Sequence, residues 1–376
     1  MPLLWPLIFA TGHEIAFAHT SFKWANLASH NAGVTVAIVG ISNHAGKIRR
    51  LFSSPADGSV IVKEAEHISA YLVAGPDVIV ESISRAPEGK TPMVWGNKPT
   101  DGGNLSLSST ERDQLLASSP TATEFIRPYY GAAEFIRGLE RFCIWVEDSK
   151  ADAANEIPAF RQRFERVRDF RASSKAAETR PAAAYPHKFR QIQAIASRHT
   201  LIMPQVSSER REYLPIGLLP PRSIVSNLAF ALYDAPLWNM ALIASRLHLV
   251  WIATVCGKLK TDFRYSNTLG WNTFPVPSLT EKNKADLTRC AEDILLAREA
   301  HFPATIADLY EVKDGERKMP VNLREAHERN DEVLERIYIG RRFRNDTERL
   351  EKLFDLYTKM TASAGTAKKR KAGAAA

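Results

Sequence analysis

The stretch GVTVAIVGIS, residues 33–42, decides the fold class because it is a nearly unbroken run of apolar and β-branched residues. Such a run is typical of a strand that is buried on both faces between parallel neighbours. On its N-terminal side, EIAFAHTSFKW (14–24) alternates enough to predict a second strand, and PLLWPLIFA (2–10) predicts a short apolar helix. A helix followed by two strands indicates the end of an α/β unit.

Further along the chain, patterns of both α/β and α+β type alternate. Ser108 or Ser109, with Glu111 placed to complete a capping box, predicts the start of a helix. The remaining predicted elements are a strand at 77–84, a helix turning into a strand at 133–148, an amphipathic helix at 157–175, strands and turns at 201–227, a long buried helix at 236–256, and helices at 280–300, 320–338 and 345–360.

Composition limits the class of protein and its surroundings. The 376 residues have a net charge of +8, which is compatible with an acidic partner such as nucleic acid, although many basic proteins bind none. Three widely separated cysteines indicate neither a disulfide framework nor a zinc site, and we expect a cytoplasmic protein. The apolar stretch at 235–256 contains Arg246 and His248, so it predicts a buried helix and no membrane partner.

The sequence contains only incomplete versions of known metal-binding and phosphate-binding motifs. HEIAF (13–17) has Phe17 where a zinc site needs its second histidine, and GISNHAGKI (40–48) has the wrong spacing for a phosphate loop. The ten histidines lack ligand spacing. The sequence therefore predicts no catalytic residue and no metal site.

The segment GKLKTDFRYSNT, residues 257–268, alternates charged and uncharged residues. In an extended chain Lys258, Lys260, Asp262 and Arg264 would share one face. A carboxylate among these cations would repel a DNA phosphate. It would be useful opposite a hydrogen-bond donor on the edge of a base. Lys260 could bind guanine acceptors while Asp262 binds the N4 donor of the paired cytosine, so we hypothesise that they specify one G·C pair. The alternative is a solvated charged strand or turn.

Two other regions are candidates for DNA contacts. Residues 158–190 contain nine Lys or Arg against three Asp or Glu, and a basic helix there would contact the phosphate backbone, unless it is simply a solvated face. Its candidate residues are Arg161, Arg163, Arg166, Arg168 and Arg171. In SSERRE, Ser207, Ser208, Arg210 and Arg211 can donate to phosphates or bases, or else form an ordinary surface turn.

Several stretches together resemble the MmeI-like type IIL restriction–modification DNA methyltransferases. The stretches are LLWPLIFATGHEIAFAHTSFKWANLASHNAGVTVAIVGIS, NKPTDGGNLSLS, EFIRPYYGAAEFIRGLERFCIWVED, VSSERREYLPIGLL, CGKLKTDFRYSNT and MPVNLREAHERND. They occur in the family's order and cover nearly the whole chain short of its tail.

The resemblance implies four segments. Residues 1–70 would be the C-terminal remnant of a class I S-adenosylmethionine-dependent methyltransferase domain. Residues 71–278 would be a mixed α/β target-recognition domain, 279–361 a helical C-terminal domain, and 362–376 a disordered basic tail. S-adenosylmethionine is the cofactor implied for the full-length family, but the F-x-G-x-G and N-P-P-[FY] motifs are absent, so we expect no cofactor in this chain alone.

The resemblance also bears on individual residues. Lys260 and Asp262 match a paired specificity determinant, Arg264 matches another base-contacting position, and Ser226 and Asn227 fall near further base contacts, although a cap or turn role is an open alternative. Phe22 and Trp24 stand where an aromatic ring could stack on a flipped base, with core packing as the alternative. His327, Asn330 and Asp331 in AHERND are expected to form helix–helix contacts.

The expected function is sequence-specific recognition of double-stranded DNA, as the C-terminal part of an adenine-N6 methyltransferase that is not catalytic alone. One alternative is a split methyltransferase, active with an upstream polypeptide that supplies the absent methyltransferase and nuclease parts. Another is a specificity subunit or decoy that binds DNA without chemistry.

Overall fold

The computed structural model describes residues 3–24, 34–44, 46–54, 59–259, 262–313, 316–317 and 319–373. The chain divides into two compact units that interleave along the sequence. Unit 1 comprises Met1–Arg85, Arg246–Asn283 and Asp331–Ala376, and unit 2 comprises Ala86–Ser245 and Lys284–Asn330. These units cross the predicted boundaries at 70/71 and 278/279, because the chain returns to unit 1 at Arg246, within the predicted target-recognition domain, and again at Asp331.

Helices are distributed over both units. The α-helices are α1 Trp5–Ala10, α2 Ser109–Ser118, α3 Ala132–Arg137, α4 Ala151–Asn155, α5 Pro158–Ala172, α6 Trp238–Ile243, α7 Arg246–Val255, α8 Glu281–Glu299, α9 Ile306–Tyr310, α10 Val321–Ile339 and α11 Asp346–Gly373. Short 3₁₀ helices are Pro120–Phe125, Asp148–Lys150 and Arg180–Ala184, and Asn267–Trp271 forms a π-helical turn.

Most strands are short. They are β1 Glu14–Trp24, β2 Val34–Ser42, β3 Arg49–Ser53, β4 Ile61–Ala65, β5 Val94–Trp95, β6 Ser106–Leu107, β7 Ile126–Tyr130, β8 Phe142–Ile144, β9 Thr200–Pro204, β10 Val206–Ser207, β11 Gly217–Leu219, β12 Ile224–Val225, β13 Ala229–Tyr233, β14 Gly257–Leu259, β15 Asp262–Arg264, β16 Val312–Lys313 and β17 Glu316–Arg317. Mixed helices and sheets confirm the predicted fold class.

Unit 1 contains a four-stranded sheet in the order β2–β1–β3–β4. Strand β1 pairs antiparallel with β2 and parallel with β3, and β4 is antiparallel to β3. The inner face of the sheet packs on α1 and on the loop after β4 that contains Ile68 and Ala70. Its buried core consists of Trp5, Ile15, Ala18, Leu51, Ile68 and Ala70.

The prediction that β2 is buried on both faces between parallel neighbours is wrong. Among the described residues β2 pairs only with β1, and Ile38 and Ile41 are 43% and 44% exposed. An unbroken apolar run cannot distinguish a doubly buried strand from an edge strand whose outer face is apolar.

The outer face of this sheet bears an apolar row that crosses all four strands. His19 lies opposite both Ile38 and Phe52, and Phe52 lies opposite Val62. The His19 and Phe52 rings stack with their centroids 4.5 Å apart, and Val62 at the end of the row is 50% exposed. We call Ile38, His19, Phe52 and Val62 the outer row.

The segment predicted as a strand at 77–84 joins no sheet and has no regular secondary structure. Its backbone N–H groups are bound by other partners. The Val80 amide donates to the Tyr71 hydroxyl at 3.0 Å, and the Ile83 amide donates to the Thr268 carbonyl at 3.0 Å. A tyrosine hydroxyl and a loop carbonyl thus accept the backbone hydrogen bonds that a neighbouring strand would otherwise accept. The alternating apolar pattern of 77–84 therefore does not require a strand ladder.

Unit 2 is built on two four-stranded sheets. One has the order β11–β9–β13–β5 and is antiparallel throughout. The other has the order β12–β7–β8–β6, and its β12–β7 pair is parallel. The capping box predicted at α2 is confirmed, because the Glu111 amide donates to Ser108 Oγ at 3.2 Å and the Ser108 amide donates to the Glu111 carboxylate at 2.9 Å.

The long helix predicted at 236–256 is two helices, α6 and α7, that break at Ala244 and Ser245. The Ser245 hydroxyl donates to the Leu242 carbonyl at 2.6 Å. The Arg246 amide donates to the Asp331 carboxylate at 2.7 Å, which gives that amide a side-chain acceptor. A break of this kind depends on a residue distant in sequence, so periodicity could not predict it.

At the C-terminus α11 continues to Gly373, beyond residue 362 where the disordered tail was expected to begin. The tail contains alanines, lysines and an arginine, which are good helix formers. Across the described residues, no helix combines the length and apolarity needed to cross a bilayer.

Helix α5 is fixed in unit 2 by an apolar stripe and one buried cation. Phe160, Phe164 and Val167 face the core at helical spacing, and Arg171 continues the stripe at the C-terminal end. The Arg171 guanidinium uses all five of its N–H groups. Its acceptors are the backbone carbonyls of Pro99, Thr100, Ala182, Tyr185 and Lys188, at distances from 2.8 to 3.0 Å.

We expect Arg171→Met to lower the free energy of unfolding by at least about 3 kcal/mol, because it leaves buried carbonyls without donors. Arg168→Met, three positions earlier on the exposed side of the helix, should change it by no more than about 0.5 kcal/mol. Urea unfolding of both variants is the measurement. Equal decreases in the two variants would contradict the anchoring role of Arg171.

Candidate nucleic-acid interface

The charged segment identified in the sequence forms a hairpin from β14 and β15. Lys258 lies opposite Phe263, and Leu259 lies opposite Asp262. Directly opposite residues of an antiparallel pair project from the same face, and alternate residues share a face. Asp262 and Arg264 therefore lie on one face with Leu259, and Lys258 lies on the other. The Lys258 ammonium is 5.8 Å from the centroid of the Phe263 ring.

The expectation that Lys258 shares a face with Asp262 and Arg264 is wrong, because the chain reverses direction between Leu259 and Asp262. The alternation rule holds for one extended strand and not across a turn. Lys260 lies outside the described residues, so its pairing with Asp262 stays a prediction.

The C-terminal end of the hairpin is anchored in the core of unit 1. Tyr265 is buried directly after β15, and its hydroxyl lies 2.9 Å from Nε2 of the buried His248. Burial raises the pKa of Tyr265 well above its ordinary value, so the phenol stays neutral. Arg264 itself is exposed and Asp262 is half-buried. Among the described residues, neither forms a salt bridge, which leaves this face available to a ligand.

The arginines of α5 do not form one strip. Arg161, Arg166 and Arg168 are exposed. Positions 161 and 168 are about two turns apart and lie on one flank of the helix, roughly 10.5 Å from each other, whereas position 166 is displaced by about 140° from position 161. Only the pair Arg161 and Arg168 has the geometry to contact successive phosphates on one side.

Two further arginines of α5 are committed to contacts within unit 2. Arg163 is half-buried and donates to the Glu111 carboxylate at 2.7 Å and to the Asn104 carbonyl at 3.0 Å. Arg171 is fully buried and saturated by carbonyls, so the expectation that it contacts DNA is corrected. The Arg171 guanidinium stabilises the fold and is not accessible to a DNA phosphate.

The SSERRE segment is partly internal. Ser207 and Arg211 are buried, and the Arg211 guanidinium donates to Ser207 Oγ at 3.4 Å. Arg211 also lies 3.8 Å from the Glu311 carboxylate. Their predicted DNA contacts are therefore corrected, whereas Arg210 is exposed and Ser208, whose Oγ accepts from the Arg210 amide at 3.3 Å, is half-buried.

Ser226 and Asn227 lie in a tight turn between β12 and β13. Ser226 is buried, and its Oγ accepts from the Leu228 amide at 3.3 Å. The Asn227 amide donates to the Asn97 carbonyl at 3.0 Å, and its side chain is half-buried. Ser226 therefore has the turn role that the sequence left open, and base contact by Asn227 stays a prediction.

Phe22 and Trp24 lie on β1 in unit 1, with ring centroids 6.2 Å apart. Trp24 is 49% exposed, so it is not a core residue, and Phe22 is half-buried. An exposed ring can stack on a base, and this role stays a prediction.

The AHERND residues have structural roles, as expected. His327 is fully buried, stacks on Tyr213 with centroids 4.1 Å apart, and places Nε2 2.6 Å from the Tyr310 hydroxyl. Burial lowers the pKa of His327 well below its ordinary value, so the ring is neutral. The Asn330 amide donates to the Ala241 carbonyl at 2.9 Å, which ties α10 to α6 within unit 2.

Thiol and metal chemistry gain no support from the described residues. Burial raises the pKa of Cys256 to about 12 and that of Cys290 to about 11, so neither thiol is an activated nucleophile. Across the described part of the chain, no group of three or more His, Cys, Asp or Glu could hold a metal ion.

Comparison with known proteins identifies three consecutive family matches. Residues 1–53 match the model for the MmeI DNA-methyltransferase domain, 74–278 the MmeI target recognition domain, and 279–364 the MmeI C-terminal domain. DNA methyltransferase A of Bacillus subtilis (strain 168) is 36% identical over 360 residues, which cover 96% of this chain and 40% of that protein.

A solved structure agrees with these matches. The type IIL restriction–modification enzyme MmeI in complex with DNA superposes with a TM-score of 0.81 and 31% identity, covering 96% of this chain and 48% of that chain. The chain thus spans less than half the length of both relatives.

We expect the double substitution Arg161→Gln with Arg168→Gln to weaken binding to duplexes of every sequence by the same factor. The log–log salt dependence should become shallower by about 0.9 for each phosphate that is no longer neutralised. Titrations over several salt concentrations measure this. Arg163→Gln, which removes hydrogen bonds within unit 2, is the control that should leave the slope unchanged; weakening confined to certain sequences would refute a backbone role.

Proposed function

This chain belongs to the MmeI family, and we therefore propose that it recognises a specific sequence in double-stranded DNA as the C-terminal part of a DNA adenine-N6 methyltransferase. The observation that carries the proposal is the superposition of 96% of the chain on an enzyme in complex with DNA. The net charge of +8 fits the same partner.

Base recognition is assigned to the hairpin face that carries Asp262 and Arg264. A carboxylate repels phosphate and pairs well only with a base donor such as cytosine N4. Arg264 on the same face supplies donors suited to guanine O6 and N7. Lys260, which lies between the two strands in the sequence, would complete the proposed G·C pair with Asp262.

The proposed function does not include methyl transfer by this chain alone. The resemblance implies S-adenosylmethionine for the full-length family, yet the sequence lacks the F-x-G-x-G turn that would hold it. Gly40, in the sheet of unit 1, offers no substitute cradle because the ring of Phe17 fills the space where a Cβ would stand. The described residues therefore do not fit the cofactor, and no step is assigned to it.

The outer row favours a second candidate, a split methyltransferase that is active with an upstream polypeptide. Ile38 and Val62 are 43% and 50% exposed, and the neighbouring Phe17 is 42% exposed on the same face. An exposed apolar sheet face of this kind marks an interaction surface. An upstream segment carrying the cofactor-binding part of a methyltransferase domain would cover it.

For the primary proposal, Lys260→Glu with Asp262→Arg should exchange guanine for cytosine at one position of the preferred duplex. The double substitution exchanges the positions of the cation and the anion, so the variant should prefer a C·G pair where the wild type prefers G·C. The preference for the matched pair should amount to about 1–3 kcal/mol. Binding to duplexes that differ by inversion of one base pair measures it. Lys258→Glu, on the opposite face of the hairpin, is the control that should leave the preference unchanged. An unaltered preference in the double variant would refute the pairing.

For the second candidate, transfer of a labelled methyl group from S-adenosylmethionine to DNA separates the possibilities. We expect no transfer by the chain alone, and transfer once an N-terminal methyltransferase segment of a full-length relative is added. Ile38→Glu should abolish the restored transfer while leaving DNA binding intact. If transfer is never restored although DNA is bound, the chain acts as a specificity subunit or decoy. Transfer by the chain alone would overturn both candidates.

A further inference from the structure

Two arginines of unit 2 that the sequence did not single out lie near the N-terminal ends of two neighbouring strands, β7 and β12. Strands β7 and β12 are parallel, with Ile224 opposite Tyr129. Arg127 precedes Tyr129 by two residues, and Arg222 precedes Ile224 by two residues. Arg127 lies on β7 and Arg222 lies in the turn that leads into β12, so the parallel pairing brings both residues to the same end of the two strands.

Two carboxylates lie near this pair without forming a salt bridge to it in the described structure. Within the described structure neither Arg127 nor Arg222 forms a salt bridge. Glu124 lies near both arginines but is bonded to Lys150, and Glu147 lies near Arg127. Burial and then the charge of Arg222 lower the pKa of Arg127, which agrees with the register in placing the two guanidinium groups close together.

The Arg127 guanidinium is also unsaturated, in contrast to the buried arginines of the same unit. It donates one hydrogen bond, to the carbonyl of Ile126 at 2.8 Å. Arg171 uses five donors, and Arg298 bonds to Tyr310 and to the Ile216 carbonyl. Since none of the guanidinium nitrogens of Arg127 is among the buried atoms without a partner, its remaining N–H groups are open to solvent.

Arg222 occupies a backbone position that favours another residue. The Ser223 amide donates to the Pro220 carbonyl at 3.4 Å, which closes a four-residue turn, and Arg222 has φ 63° at its third position. Glycine is favoured at the third position of turns with positive φ because it has no Cβ. An arginine in this place is therefore unfavourable for the turn itself.

We propose that Arg127 and Arg222 form a two-guanidinium clamp for a phosphodiester group of the DNA backbone. Two adjacent guanidinium groups match the oxygens of one phosphate and relieve their mutual repulsion on binding it. This inference rests on the proposed function and adds a phosphate-binding surface on unit 2 that is separate from the residues of α5.

The test uses Arg222→Gly in the full chain, because this substitution relieves the turn while removing the charge. We expect weaker binding to duplexes of all sequences, a log–log salt slope shallower by about 0.9, and thermal stability equal to or above that of the wild type. Arg127→Gln should reduce the slope likewise, and the double variant should bind no more weakly than either single variant, since both groups hold one phosphate.

Arg137→Gln, an exposed arginine at the end of α3, controls for the removal of one charge and should change the slope less. Wild-type binding with an unchanged slope in Arg222→Gly overturns the clamp alone, whereas failure of the wild type to bind any duplex overturns the proposed function and the clamp with it. Inorganic phosphate should displace the wild-type duplex more effectively than chloride at matched ionic strength, and this difference should be lost in Arg222→Gly. Equal displacement of the wild-type duplex by the two anions would contradict a phosphate-binding clamp.

Discussion

The five hydrogen bonds of the buried Arg171 guanidinium are the constraint on which the packing of unit 2 depends. They hold the end of α5 against the backbone of 99–100 and of 182–188. A buried cation needs such complete satisfaction, because each missing acceptor leaves a desolvated N–H group. The exposed arginines of the same helix, which we propose to contact DNA, depend for their position on Arg171 as well as on the apolar stripe.

The number of internal acceptors separates the roles of the arginines. Arg171 is saturated and structural, and Arg163 is held by a carboxylate and by carbonyls. Arg161 is exposed and donates one hydrogen bond, to the Asn155 carbonyl at 3.1 Å, and Arg168 is exposed. Arg127 is half-buried, Arg222 is exposed at a positive-φ turn position, and among the described residues neither forms a salt bridge. The same charge therefore stabilises the fold in one place and is available to a phosphate in another.

Local patterns predicted much of this structure from the sequence. The capping box at Ser108, the apolar stripe of α5 and the C-terminal helices follow from interactions within a few residues, and these predictions are confirmed. The burial of Arg171, the break before Arg246 and the pairing of β2 depend on partners far away in sequence. The face of Lys258 was missed for a smaller reason, a chain reversal inside a segment taken as extended. A signal for Arg222 was present in Pro-Pro-Arg, where a turn has arginine in place of glycine.

The proposed function is that this chain distinguishes one DNA sequence from others without methylating it alone. The ratio of two dissociation constants measures this property, one for the best duplex selected from a random pool and one for unselected duplex, both at about 150 mM salt. We expect the selected duplex to bind at least about 10³-fold more tightly. A ratio near one, with both constants rising equally with salt, would contradict sequence recognition and leave only a nonspecific polyanion binder.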